Sequence, residues 1–273
     1  MKRQWTVLFF LLCSLAVLAG CGTQKEPANA ALGTQERPLV VGVTAGPQAQ
    51  ILEQVKTVAA RDGFVIKVSE FTDFVTPDQA LANGEIDANA YQHQPYLNHF
   101  NKNNGDKLVS IGKTVLLPMA LYAPKYQTLN ALPDGAKVAI PNDPTNGGRA
   151  LLLLQSAGLI QLGTNDITVT VADVKENPRH FEFLEVEAAQ VPRSLDDVDA
   201  AVINTNYALE AGLSPVADAR FVETKESPYA CVLAVQKDAK TDAAYAKLLS
   251  YYQSEPVRDF IHKEFKGALV PAF

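Results

Sequence analysis

Lys137-Val138-Ala139-Ile140-Pro141-Asn142-Asp143-Pro144-Thr145-Asn146 carries a short apolar run into a turn of Pro, Asn and Asp, and an apolar helical pattern follows from Arg149 to Ala157. That order reads as strand, turn and helix. The same plan occurs earlier in the chain: Leu39-Val40-Val41-Gly42-Val43 as strand, Thr44-Ala45-Gly46-Pro47 as turn, then Ile51, Val55, Val58 and Ala59 at helical spacing. A second pair of segments agrees, because Glu85-Ile86-Asp87-Ala88-Asn89-Ala90-Tyr91 resembles Asp197-Val198-Asp199-Ala200-Ala201-Val202-Ile203-Asn204 with a one-residue slip. The repeat predicts two α/β lobes. Strands alternating with helices form mainly parallel sheets, and ligands of such sheets sit outside the carboxyl ends of the strands, where these turns lie.

Working outward, the chain divides into lobe 1 from residues 38–121 plus 230–273 and lobe 2 from 122–229. One crossing is expected near Met119 to Pro124. The return is expected near Glu226 to Tyr229, where Ser-Pro-Tyr interrupts ahead of the strand Val232 to Val235, and the helical C-terminus from Ala243 to Phe265 rejoins lobe 1. Two crossings make a hinge, which a closing clamp requires.

The N-terminus has a separate purpose. Lys2 and Arg3 precede an apolar stretch from Trp5 to Ala19, so residues 1–20 read as a signal peptide. The run is shorter than the ~20 apolar residues of a membrane-spanning helix. Leu18-Ala19-Gly20-Cys21 resembles a bacterial lipobox, which implies cleavage before Cys21 and acylation of that cysteine. With about 0.8 kcal/mol for each buried CH₂, two or three acyl chains hold a protein durably at a bilayer. Residues 21–37, rich in Ala, Pro, Gly and Thr, read as a lipidated tether. The expected location is a membrane surface, with the body facing the periplasm or the cell exterior.

Of the three cysteines, Cys13 leaves with the signal peptide and Cys21 carries lipid, so Cys231 remains as a thiol and no intrachain disulfide is expected. The net charge of −6 becomes more negative when Lys2 and Arg3 are removed, which argues against nucleic acid as a partner. Four histidines, of which only His93 and His99 are close in sequence, make a poor metal-ligand set. No metal or other cofactor is expected. Cys231 with His93 is the only pair that suggests nucleophilic catalysis, and no activating motif surrounds the cysteine, so the chain is read as a non-enzyme.

Several short motifs point further. Gln92-His93 with Pro95-Tyr96, Pro141 to Asn146 with Arg149, Leu195-Asp196-Asp197, Ala201-Val202-Ile203-Asn204 and Glu226-Ser227-Pro228-Tyr229 stand in an order that resembles the NlpA lipoprotein family, over the chain from Leu39 to the C-terminus. The resemblance implies a periplasmic-binding-protein fold with its ligand cleft between two α/β lobes. It also implies no catalysis, with L-methionine or a similar small amino acid delivered to an ABC permease and its ATPase. The resemblance further places His93 in the methionine site and assigns Asn204 to the ligand headgroup and Phe74 and Tyr91 to the methionine thioether. Arg149, early in its helix, is suited to a bidentate pair with the ligand carboxylate.

One position departs from the pattern. Family members read Ser-Pro-Tyr-x-Asn with a ligand-binding Asn, whereas Cys231 stands there in this chain. A thiol is a weaker donor and acceptor than an amide. The alternatives are therefore a related ligand, such as D-methionine, a methionyl dipeptide or another apolar amino acid, or a structural or adhesive surface lipoprotein.

Overall fold

The computed structural model describes residues 31–224 and 226–273; the signal peptide, Cys21 and most of the tether lie outside the described residues. Strands β1 (Leu39–Thr44), β2 (Ile66–Phe71), β3 (Ala88–Asn89) and β4 (Leu108–Lys113) belong to lobe 1, with helices α1 (Pro47–Ala60), α2 (Thr76–Ala82) and α3 (Gln94–Asn104) between them. After β5 (Val115–Leu116), lobe 2 holds β6 (Ala120–Tyr122), β7 (Lys137–Pro141), α4 (Pro144–Ser156), β8 (Gln161–Leu162), β9 (Val174–Glu176), β10 (Glu182–Val186), α5 (Val191–Ser194), β11 (Ala200–Ile203), α6 (Thr205–Glu210) and β12 (Ala219–Val222). The chain returns through β13 (Val232–Gln236), α7 (Ala243–Tyr252), α8 (Glu255–Phe265) and β14 (Val270–Pro271).

The two main sheets share one topology. Lobe 1 is ordered β2-β1-β3-β13-β4 and lobe 2 β10-β7-β11-β6-β12. In each, the first three strands are parallel and the fourth runs antiparallel to both neighbours. The fourth strand is in both cases the one that has just crossed between lobes: β6 entering lobe 2, β13 re-entering lobe 1. The repeated units occupy matching places, with β1 and β7 second and β3 and β11 third. The division expected between residues 121 and 122 falls inside β6, which pairs in the second sheet.

Strand composition explains the layering. Side chains alternate across a sheet. Val138 and Ile140 of β7, with Ala200 and Val202 of β11, enter one core on the face of the second sheet that packs on α4. Ala139, Ala201 and Ile203 enter another on the opposite face. In lobe 1, Leu39, Val41 and Val43 join Leu233 and Val235 on one face, and Val232 with Ala234 on the other. Strands buried on both faces read as continuous apolar runs, which is why the repeat is visible in the sequence.

Local signals set where the helices begin. The expected helix from Arg149 starts earlier, at Pro144, because Asp143 caps it: its Oδ1 accepts from the Asn146 backbone N–H at 2.9 Å, and Pro occupies the first turn. Two glycines let α4 come close to its surroundings. A methyl group on Gly147 would lie 2.8 Å from the Pro141 carbonyl oxygen, and one on Gly148 would lie 2.4 Å from that of Ile167. The C-terminal helical stretch divides at Gln253 and Ser254, where Pro256 opens α8.

Candidate ligand site

Every helix-side residue of the central cavity follows the carboxyl end of a parallel strand. Gln48 comes after β1, Phe74 after β2, and Tyr91, Gln92, His93 and Tyr96 after β3; Asn146 and Arg149 come after β7, and Asn204, Thr205 and Asn206 after β11. Leu117, Tyr229 and Cys231 complete the lining from the two crossing segments. The six residues expected from sequence, Phe74, Tyr91, His93, Arg149, Asn204 and Cys231, all face this cavity.

His93 and Asn204 meet at a residue the sequence reading did not assign. The His93 ring is oriented by capping α3: Nδ1 accepts from the Tyr96 backbone N–H at 3.2 Å, so the ring proton sits on Nε2, 3.2 Å from Asn146 Oδ1. Asn204 Nδ2 donates to the same oxygen at 2.9 Å, and Asn146 Nδ2 is turned to the Asp143 carboxylate at 2.9 and 3.1 Å. Asn146 therefore joins the walls of the cleft. Burial, and then the nearby Arg149 charge, push the His93 pKa down to about 3, so the ring is neutral at ordinary pH.

Arg149 differs from expectation in its partners. Its Nε and Nη2 engage Glu223 at 3.1 and 2.5 Å, Nη2 also donates to the Leu117 carbonyl at 3.0 Å, and the guanidinium lies 4.5 Å over the Tyr229 ring. The bidentate fork is thus occupied by Glu223 and leaves Nη1 on the outer edge for another acceptor. Glu223 Oε2 in turn accepts from the Met119 backbone N–H at 3.2 Å, tying the ion pair to the crossing segment. No sequence motif indicated Glu223, which lies far from Arg149 along the chain.

The lobe 1 wall is aromatic. Phe74 packs against Tyr91, Tyr96 and Tyr207 with ring centroids 6.1, 6.3 and 4.8 Å apart, and Tyr91 and Tyr96 donate their hydroxyls to the Phe74 carbonyl at 2.8 and 2.9 Å. Burial raises both phenol pKa values, which keeps them as donors. Tyr207 belongs to lobe 2, yet its hydroxyl reaches the Thr72 carbonyl at 3.3 Å. The clamp is closed in this conformation.

Cys231 is buried, with Sγ 3.3 Å from the Tyr91 carbonyl and 3.7 Å from Gln48 Nε2. Burial pushes its thiol up to about 12, against the smaller lowering effects of Arg149 and Gln48. A protonated thiol beside a neutral imidazole lacks the thiolate that nucleophilic catalysis needs. Four cavity-lining polar atoms are buried without a partner: Gln92 Oε1 and Asn204 Oδ1, both acceptors; Asn206 Nδ2, a donor; and the Tyr229 hydroxyl. Such orphans are costly unless something binds them. Among the described residues no group of three or more His, Cys, Asp or Glu side chains is placed to hold a metal ion.

A two-lobed α/β clamp with a cavity between its lobes, lined at the carboxyl ends of strands and on two crossing segments, defines a solute-binding protein of the periplasmic-binding-protein class. Residues 39–273 match the family model described as NlpA lipoprotein, and the chain belongs to that family. The D-methionine-binding lipoprotein MetQ of Escherichia coli (strain K12) is 44% identical over 264 residues, covering 95% of this chain and 94% of that one. A nutrient binding protein from Burkholderia cenocepacia bound to methionine superposes with a TM-score of 0.84 at 47% identity, covering 86% of this chain and all of that one. A periplasmic substrate-binding protein of an ABC transporter from Coxiella burnetii matches with the same TM-score, identity and coverage.

Proposed function

We propose that this protein captures methionine in the interlobe cavity and delivers it to an ABC permease and its ATPase, without catalysing a reaction. The observation that carries this reading is the polarity of the lining. An aromatic wall from Phe74, Tyr91 and Tyr96 suits a thioether, whose sulfur gains about 0.3–1.5 kcal/mol at a ring edge. Across from it, the partnerless Asn204 Oδ1 is an acceptor for an ammonium, and Asn206 Nδ2 with the free edge of Arg149 are donors for a carboxylate. Acceptors and donors on one wall, with an apolar slot on the other, match a zwitterion with an unbranched apolar tail. Cys231 contacts the Tyr91 backbone and leaves the headgroup to these amides.

In the same reading, Cys21 carries the lipid that holds the protein at the membrane, and the segments 117–119 and 229–231 are the hinge. Just ahead of the first segment the chain is tied to the second: Cys231 N–H donates to the Val115 carbonyl, and Thr114 N–H to that of Cys231, each at 2.8 Å. D-Methionine is the second ligand to weigh, because several relatives are named for binding it.

Calorimetric titration with L- and D-methionine tests the proposal. The sole tryptophan, Trp5, lies in the signal peptide and offers no reporter near the cavity. A micromolar or tighter constant, about −8 kcal/mol or better, is the expected result for at least one enantiomer. No heat from either would reject methionine and direct the search to methionyl dipeptides and other apolar amino acids.

A further inference from the structure

Behind the cavity, on the lobe 1 side, lies a buried polar chain that the ligand contacts above do not use. Asp78 of α2, Asn89 of β3 and Gln92 are all buried, Asp78 completely. Asn89 Nδ2 donates to Asp78 Oδ1 at 2.8 Å and lies 3.4 Å from the Pro77 carbonyl, so the Asn89 oxygen is left facing Gln92. Gln92 Nε2 then donates to Asp78 Oδ1 at 2.5 Å and to Asn89 Oδ1 at 3.2 Å. The chain starts from groups that can only accept, a carboxylate and a backbone carbonyl. Each amide downstream is therefore held in one orientation; a reversed Gln92 would set its oxygen against two other oxygens. What remains is Gln92 Oε1, on a residue that lines the cavity, buried and without a partner.

We propose that Asp78 is a positioning residue that locks the Gln92 amide and makes Gln92 Oε1 an acceptor for the amino group of the bound ligand. This rests on the amino-acid reading of the cavity and adds to it a specificity determinant and a source of pH dependence. An ammonium needs several acceptors, and Asn204 Oδ1 supplies one from the opposite lobe. A Gln92 held by a carboxylate supplies another from lobe 1, with the buried negative charge behind it. Ligand binding would then also pull the two lobes together, each contributing an oxygen to the same amino group.

Asp78 has no cationic partner among the described residues, and its Oδ2 is unpartnered. Burial pushes its pKa up to about 6 against the lowering effect of Asn89, Gln92 and Tyr91. Tyr91 and Tyr96 face it from the segment after β3 and from α3, and both phenols stay protonated. Asp73 lies in the loop ahead of α2. Hydrogen bonds from Thr76 and Val75 outweigh the upward push of burial there and keep it ionised. The strands β1 and β13, which also pack on α2, contain no charged residue. Protonation of Asp78 removes the charge that holds Gln92 Nε2 and so loosens the lock on the amide. Affinity for the ligand should therefore fall as pH drops through about 6.

The test is calorimetric titration with L-methionine at about pH 7.5 and about pH 5, on the unaltered protein, Asp78→Asn and Gln92→Met. The unaltered protein should lose about tenfold in affinity on acidification, equivalent to one pKa unit of linkage. Asp78→Asn, which mimics the protonated acid, should bind about tenfold more weakly at the higher pH and show no further loss at the lower. Gln92→Met keeps the shape without the oxygen and should lose a similar factor. A flat profile in the unaltered protein overturns the proposal, as does full affinity in Gln92→Met. A slope that survives in Asp78→Asn also overturns it. Failure of the unaltered protein to bind methionine at either pH defeats the amino-acid reading itself, and this inference with it.

Discussion

The two walls of the cleft are built on sheets of the same strand order, yet they carry opposite chemistry. After β3 and β2 of lobe 1 come rings: Phe74, Tyr91, His93 and Tyr96, none charged at neutral pH. After β7 and β11 of lobe 2 come Asn146, Arg149, Asn204 and Asn206, with the Arg149–Glu223 ion pair at 4% and 13% side-chain exposure. A repeated scaffold supplies equivalent positions at strand ends, and the side chains at those positions divide the work. One lobe offers chiefly rings for a tail, with Gln92 as its polar exception, and the other offers most of the directional groups for a headgroup. Closure is needed to present both at once, which is how a clamp becomes selective rather than sticky.

The largest test of this contrast is acid. His93 is held neutral by burial, with its pKa lowered to about 3 from an ordinary 6.5. The stability it contributes is fully present above pH 6.5 and is lost as pH falls toward 3, by roughly 5 kcal/mol at the end of that range. Thermal melts should fall steeply over this window, and His93→Gln should flatten the fall; an unchanged profile in the variant would place the acid sensitivity elsewhere.

Next in size is Arg149→Ala, which removes the cation of the polar wall and leaves the largely covered Glu223 without its partner. Breaking a buried pair costs about 3–5 kcal/mol, so a drop in melting temperature and loss of measurable methionine binding are expected. The double variant Arg149→Ala with Glu223→Ala separates the two: stability should recover in part while binding stays absent. Retained affinity in the single variant would show that the amides alone hold the headgroup.

A smaller effect should follow Tyr207→Phe. The Tyr207 hydroxyl reaches from lobe 2 to the Thr72 carbonyl of lobe 1, and its removal should cost about 0.5–1.5 kcal/mol of closure. Methionine affinity should weaken several-fold while each lobe keeps its stability. An affinity unchanged from the parent would mean that ring packing, not this hydrogen bond, joins the aromatic wall to lobe 2. The smallest expected change is a gain: Cys231→Asn puts an amide where family members carry one and should tighten methionine binding by a few-fold. Equal or weaker binding would show that the thiol against the Tyr91 carbonyl is part of a settled arrangement.

Much of this was legible beforehand. Short apolar runs ending in turns rich in Pro, Asn and Asp identified β1, β7 and β11 and the helices after β1 and β7, and the likeness of the segments around Asn89 and Asn204 foretold their equivalent places in two sheets. These features are local. A strand buried on both faces must be continuously apolar, and a helix must repeat its apolar residues every three to four positions, so the order of residues records them directly. Of the six expected cavity residues, His93, Asn204 and Arg149 stand at strand ends or early in a helix, whereas Phe74, Tyr91 and Cys231 were reachable through the family resemblance.

The pairings that join distant segments were not legible. Glu223 on the Arg149 fork, Asn146 as the shared acceptor of His93 and Asn204, and the Asp78–Asn89–Gln92 chain each depend on how sheets, helices and crossings stack in space. So does the insertion of β6 and β13 as the fourth strand of each sheet. By itself the sequence determined the two α/β units and which of their ends are polar, because periodicity and turn chemistry act over a few residues. Only the tertiary structure decided which polar groups satisfy one another and which are left for a ligand, because hydrogen bonds between buried side chains are settled by distances of about 3 Å that no local pattern encodes.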